Sequence, residues 1–166
     1  MRQERLFDAP EIKPRARSFS WVGVKLVRER RAGYTRQISR PQDAYEAVRL
    51  LLEDRDREAV VILLLDTKNR INAAHIVAVG SLDSCPVHPR EVFKAAVLAN
   101  AAAVIVAHNH PSGDPTPSCE DRQLALRLKQ AGDILGIPLL DFLVVGDGRY
   151  VSLSQGENWV VTAPAP

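Results

Sequence analysis

"VIVAHNHPSGDPTPSCED", residues 104–121, runs an apolar segment straight into His108-Asn109-His110 and stops it with Pro111. On an extended chain, residues i and i+2 point to the same side, so the two imidazoles can converge on one point. Pro111 has no N–H to offer a ladder, so the strand ends where the two rings are presented. The loop Ser112–Pro117 is stiffened by prolines, keeps one permissive glycine, and delivers the chain to Ser118, a good helix N-cap. Asp121 then falls in the first helical turn, where the helix dipole favours a carboxylate that can face back toward the strand end. Two histidines, one carboxylate and an open fourth position form the ligand set of a catalytic zinc, one ion per chain. Such a zinc brings the pKa of its water down to roughly 7 and polarises a carbonyl. His-x-His alone is a weak signal, and Ser-x-x-Asp is also a capping box with a purely structural job. The whole string of strand, His-x-His-Pro, proline-glycine loop and Ser-x-x-Asp favours the metal. In that reading Asn109 is a spacer between two ligands.

Outward from this stretch the periodicities alternate between strand and helix. "EAVVILLLDTKNRINAAHIVAVGS" reads as a hairpin turning at Asp66–Arg70. "RPQDAYEAVRLLL" carries proline at a first helical position and a stripe of Ala44, Val48, Leu51 and Leu52. "HPREVFKAAVLANAA" is an alanine-rich helix in which His88 is a turn or N-cap residue. "SCEDRQLALRLKQAGDILG" is a helix from Ser118 to a stop at Gly136. "PLLDFLVVGDGRYVSL" is a second hairpin, turning at Gly146-Asp147-Gly148. His75, inside an apolar strand, reads as a core histidine. The fold class is α/β, a single domain with helices interleaved with a sheet. Its expected divisions are a basic arm at 1–35 with a strand-like segment over 18–31, a domain at 36–154, and a tail at 155–166.

The chain has 166 residues, 46% hydrophobic and 25% charged, which suits one globular domain with a real core. No apolar run approaches the ~20 residues of a membrane span, and the polar start lacks the apolar core of a secretory signal. Cys85 and Cys119 are too few for a disulfide framework, so two reduced thiols in the cytoplasm are expected. Net charge is +2, yet residues 1–40 carry +7 and the remainder −5. A basic arm on an acidic domain suits a nucleic-acid contact, and equally a solvated or edge-strand segment. An exposed strand in that arm would also suit pairing across a homodimer. Trp21 and Trp159 are placed to pack the arm and tail onto the domain.

His-x-His-Pro, six residues, then Ser-x-x-Asp resembles the JAMM (MPN+) zinc metalloprotease motif. More closely, residues 35–153 resemble the JAB/MPN domain of RadC-like proteins, through "LLLDTKNRI", "VHPREVFKAAVLANAAAVIVAHNHPSGDPTPSCED" and "LLDFLVVGDGRYVSL". The resemblance implies a mixed central sheet flanked by helices, with a layout like that of the cytidine deaminases. It implies a zinc held by His108, His110 and Asp121, and a Ser118 hydroxyl donating to a tetrahedral oxyanion. The family's general base is a glutamate opening an earlier strand, which falls on Glu58. Glu91 competes for that role, although at a helix start its ordinary job is to favour the dipole. Two residues depart from the commonest patterns. Asn109 stands where JAMM proteases carry Ser or Thr, and Phe142 where a histidine is frequent; Phe142 is expected to touch nothing at the metal. The helix-hairpin-helix region of longer RadC-like proteins is also expected to be missing, as in compact forms on mobile elements.

The function so implied is a zinc-dependent metallohydrolase, a JAMM-type peptidase or isopeptidase acting on a protein or peptide. The alternative is a non-catalytic zinc-containing module that binds protein or DNA in a mobile element or a DNA-repair-related system. A nuclease, suggested by the letters "HNH", is discounted, because those enzymes draw such residues from separate parts of a ββα unit.

Overall fold

The computed structural model of the chain describes residue 23 and residues 25–27, 37–52, 55–80 and 87–156. Its elements are α1 (Pro41–Leu52), β1 (Ala59–Leu65), β2 (Ile71–Val79), α2 (Pro89–Leu98), β3 (Ala103–Asn109), α3 (Cys119–Leu135), β4 (Leu139–Gly146) and β5 (Arg149–Ser152). The five strands form one mixed sheet in the order β2-β1-β3-β4-β5. β3 and β4 run parallel, joined through α3, while the other neighbours are antiparallel.

The unbroken apolar runs of β1, AVVILLL, and β3, AVIVAHN, are buried at every residue. A strand without polar alternation needs cover on both faces, and the helices provide it. On one face Val60, Ile62, Leu64, Val104, Val106, Phe142 and Val144 pack with Val92, Phe93 and Ala96 of α2 and Ala125 and Leu128 of α3. On the other, Val61, Leu63, Leu65, Ile105, Ala107 and Leu143 pack with Ala44, Tyr45, Val48 and Leu52 of α1. The expected mixed sheet flanked by helices is what the chain forms.

Local signals account for the element ends. α1 begins at Pro41, and Ala44, Val48 and Leu52 form its buried stripe. His88 caps α2 through Nδ1, which accepts from the Arg90 N–H at 3.3 Å. Gly136 ends α3 in the left-handed region at φ 68°, where a side chain would be strained. Asp147 and Gly148, both at positive φ, turn β4 into β5.

His75 corrects the sequence reading: it is exposed on β2, an outer strand of the sheet, and not part of the core. A strand with one solvated face carries polar side chains without cost, and apolar neighbours do not reveal which face a residue takes. The segment 18–31 is described only at residues 23 and 25–27, none of them in a strand. Trp21, Cys85 and Trp159 lie outside the described residues. Among the described residues no helix is long and apolar enough to cross a membrane.

Candidate metal centre

The three candidate ligands meet at the carboxyl end of β3, where the chain leaves the parallel pair for α3. Open α/β sheets bind ligands at such strand ends. His108 is the penultimate residue of β3 and 2% exposed, and His110 lies just beyond it. The His110 N–H donates to the Val145 carbonyl at 2.8 Å, so β4 still holds the chain as it turns. Asp121, 7% exposed, points back from the first turn of α3. Its Oδ1 lies 3.2 Å from His108 Nε2 and its Oδ2 3.4 Å from His110 Nε2. One ligand atom from each of the three residues falls within 4.8 Å of the others.

Hydrogen bonds behind the rings decide which nitrogens face inward. His108 Nδ1 is 2.9 Å from Glu58 Oε1, a contact in which the carboxylate oxygen accepts and Nδ1 donates. His110 Nδ1 is 2.7 Å from the Asp114 carbonyl oxygen, which also only accepts. Each ring therefore turns the lone pair of Nε2 toward Asp121. Among the described residues His108 Nε2 is buried without a hydrogen-bond partner.

Two lone pairs facing carboxylate oxygens repel unless a proton or a metal ion lies between them. The two imidazole nitrogens approach different oxygens of Asp121, at 3.2 and 3.4 Å, and one donor atom from each residue lies within 4.8 Å of the others, a spread that a single bound ion would draw together. A ligating histidine normally gives its other N–H to a carboxylate or backbone carbonyl, and this site supplies one of each. The donor set fits a divalent metal of the zinc type.

Ser118 and Asp121 form a reciprocal capping box. The Ser118 hydroxyl accepts from the Asp121 N–H at 3.1 Å, and the Ser118 N–H donates to Asp121 Oδ2 at 2.7 Å. The structural and chemical readings of Ser-x-x-Asp are thus compatible: the cap orients the carboxylate that faces both imidazoles. With its oxygen accepting, the Ser118 hydroxyl keeps its proton for another acceptor.

The two candidate bases separate. Glu58, immediately before β1, lies against His108. Glu91 is 46% exposed on α2 and bonded to Lys94 at 2.6 Å, with Arg90 at 3.6 Å. The Lys94 ammonium holds the Glu91 carboxyl below its ordinary value.

Other neighbours of the site go beyond the sequence reading. Phe142, expected to touch nothing at the metal, lies with its ring centroid 5.5 Å from that of His108. The contact crosses from β4 to β3, and the register that makes it is invisible in local sequence. Asn109 is no idle spacer: its Oδ1 accepts from the Ala59 N–H at 2.9 Å and its Nδ2 donates to the Arg57 carbonyl at 3.1 Å. Gly146 lies under the ligand loop, where an added Cβ would overlap the Gly113 carbonyl and approach Pro115 N at 2.9 Å. Cys119 is free and exposed. A cleft of about 430 Å³ borders Asp121, lined by Val87, His88, Gln123, Leu124 and Arg127.

The family model for the RadC-like JAB domain matches residues 38–159. The chain belongs to the RadC-like JAB family. Among curated RadC-like relatives, a UPF0758 protein of Methanosarcina mazei is 48% identical over 120 residues, covering 72% of this chain and 52% of the relative. One from Geobacter sulfurreducens is 48% identical over 131 residues, covering 79% and 57%. A third, from Desulforamulus reducens, is 50% identical over 122 residues, covering 73% and 54%. This RadC-like chain spans about half the length of the curated relatives it matches.

Proposed function

We propose that this RadC-like domain is a zinc-dependent metallohydrolase, a JAMM-type peptidase or isopeptidase that cleaves an amide bond in a protein or peptide. The observation that carries the reading is the pair of Nε2 lone pairs on His108 and His110 turned toward the Asp121 carboxylate, with a second carboxylate, Glu58, beside them. A zinc ion bound by His108, His110 and Asp121 would supply Lewis-acid polarisation of the scissile carbonyl and a water acidic enough to ionise near neutrality.

The remaining work falls to the chain's own groups. Glu58, with Oε1 on His108 Nδ1, would take a proton from the attacking water and return it to the leaving amine. The Ser118 hydroxyl donates to the oxygen that becomes negative as the carbonyl carbon turns tetrahedral. The Ser118 N–H keeps Asp121 from rotating. In this reading the protein acts in the cytoplasm, and its basic arm is left for a nucleic acid or a second copy of the chain.

Metal analysis after metal-replete expression tests the first half, with about one equivalent of zinc expected. Roughly a tenth of an equivalent or less, unchanged in His110→Ala, would overturn it. A peptide-library cleavage screen tests the second half. Glu58→Gln should abolish turnover and keep the zinc, and a cellular role that survives this change would favour a binding module.

A further inference from the structure

We propose that Asn109 is the positioning residue of Glu58, its carboxamide closing the end of the β1–β3 ladder where Pro111 has no N–H to give. The catalytic consequence rests on the reading of Glu58 as the general base; the geometry does not.

The antiparallel ladder between β1 and β3 ends at Val60 opposite His108. By alternation the backbone of His110 faces β4, where its N–H bonds to Val145, and Pro111, the next residue turned toward β1, has no N–H. In a strand the C=O of residue i−2 and the N–H of residue i point to the same edge. The Arg57 carbonyl and the Ala59 N–H therefore both face β3 at the very end of the ladder, where the Arg57 carbonyl meets no N–H from Pro111. Asn109 answers both at once, its Oδ1 on Ala59 N at 2.9 Å and its Nδ2 on Arg57 O at 3.1 Å. It is 5% exposed, and its amide group makes one contact through each end.

Between these two contacts lies Glu58. Its own carbonyl faces the opposite edge, where it accepts from the Gly80 N–H at 2.8 Å. The backbone at residue 58 is thus gripped from both edges although it lies outside the β1–β3 ladder. Alternation sends its side chain to the face of Val60 and Ile62, the α2/α3 face that also carries His108. Aspartate at position 109 could keep the Ala59 contact but would set an oxygen against the Arg57 carbonyl. Alanine would lose both contacts. One tripeptide, His108-Asn109-His110, therefore presents two ligand candidates on one side and fixes the glutamate that meets the first of them on the other.

The test is a double-mutant cycle on zinc affinity, read by chelator competition with the purified full chain. Glu58→Ala removes the acceptor behind His108 and is expected to weaken zinc binding ~10–100-fold. Asn109→Ala is expected to weaken it by a smaller factor, with Asn109→Asp in between and usable in the same cycle should the alanine variant not fold. If Asn109 acts through Glu58, the double variant binds zinc no more weakly than Glu58→Ala alone. Multiplied effects in the double variant would mean that Asn109 supports the fold by another route, and would overturn the proposal. In peptide cleavage, Asn109→Ala should lower kcat ~10–100-fold with KM held within about twofold; a change confined to KM would count against it. Full turnover by Glu58→Gln would remove the general-base reading and leave the zinc cycle standing, so the two failures are distinguishable.

Discussion

Glu58 and His108, fifty positions apart in the chain, meet at 2.9 Å between a carboxylate oxygen and Nδ1. This contact fixes the tautomer of the more buried imidazole and turns its Nε2 lone pair toward Asp121. It also separates two jobs of one side chain. Glu58→Gln keeps an acceptor for the Nδ1 proton and should hold zinc within a few-fold of wild type, whereas Glu58→Ala should lose ~10–100-fold. Chelator competition on both variants checks the difference. Equal affinities in the two would show that the contact does not tune the ring.

Ser118 can be separated in the same way. Ser118→Ala deletes the N-cap and should cost about 1 kcal/mol of stability, while Ser118→Gly should cost only a few tenths. Both remove the hydroxyl, so both should lower turnover to the same extent, ~10²–10³-fold for a lost oxyanion donor. Urea unfolding and peptide cleavage, measured side by side, decide the matter. Turnover that follows the stability ranking would make Ser118 a cap alone.

The three ligand candidates are legible in the sequence because they sit on one strand, loop and helix, where period-2 alternation and capping rules determine direction. The element order is legible for the same local reason, down to the His88 and Ser118 caps and the Asp147-Gly148 turn. What lies beyond local pattern is pairing between distant segments. The contact of Glu58 with His108, which Glu91 does not share, depends on β1 lying antiparallel beside β3. The Phe142 contact depends on the β3–β4 register, in which Val106 pairs with Phe142. Asn109 is hidden for a related reason: a spacer in a linear motif still has a side chain, and the motif is silent about what lies across the sheet. His75 differs, since an apolar neighbourhood does not say that a strand is at an edge.

Gly146 supports the ligand loop from below. Gly146→Ala would drive a methyl group into the Gly113 carbonyl and displace the loop whose Asp114 carbonyl orients His110. Overpacking of this kind costs about 1–3 kcal/mol, and zinc affinity should fall with it, although residue 146 is no ligand. Thermal unfolding and chelator competition check both halves. A variant that binds zinc like wild type would show that the loop yields freely.

Asp141 offers a pH test away from the metal. Its carboxylate is buried beside β5, accepting from the Phe142 and Ser154 N–H groups and the Ser152 hydroxyl. Burial raises its pKa above the ordinary 3.8, the hydrogen bonds opposing this in part. The folded chain then holds this proton to higher pH than the unfolded chain, so the contribution of Asp141 to stability falls as pH rises from about 3.8 through the folded value. The Asp141→Asn substitution keeps an acceptor oxygen and carries no charge at any pH. The Tm of this variant relative to wild type should therefore climb across that window and level off above it. A relative Tm that falls as pH rises would contradict the assignment.

The orphaned Nε2 of His108 puts chemistry and robustness in direct competition. A buried polar atom left without a partner costs about 1–3 kcal/mol, and the ring beside Phe142 would be relieved of that cost by a hydrocarbon of similar volume. Residue 108 is thus a point of local frustration in an otherwise consistent energy landscape. Selection of variant libraries for thermal tolerance in the presence of a chelator would replace this histidine early and leave the sheet around it intact. Under the proposed function, the same selection with zinc supplied would retain it, because a bound ion would turn the defect into a bond.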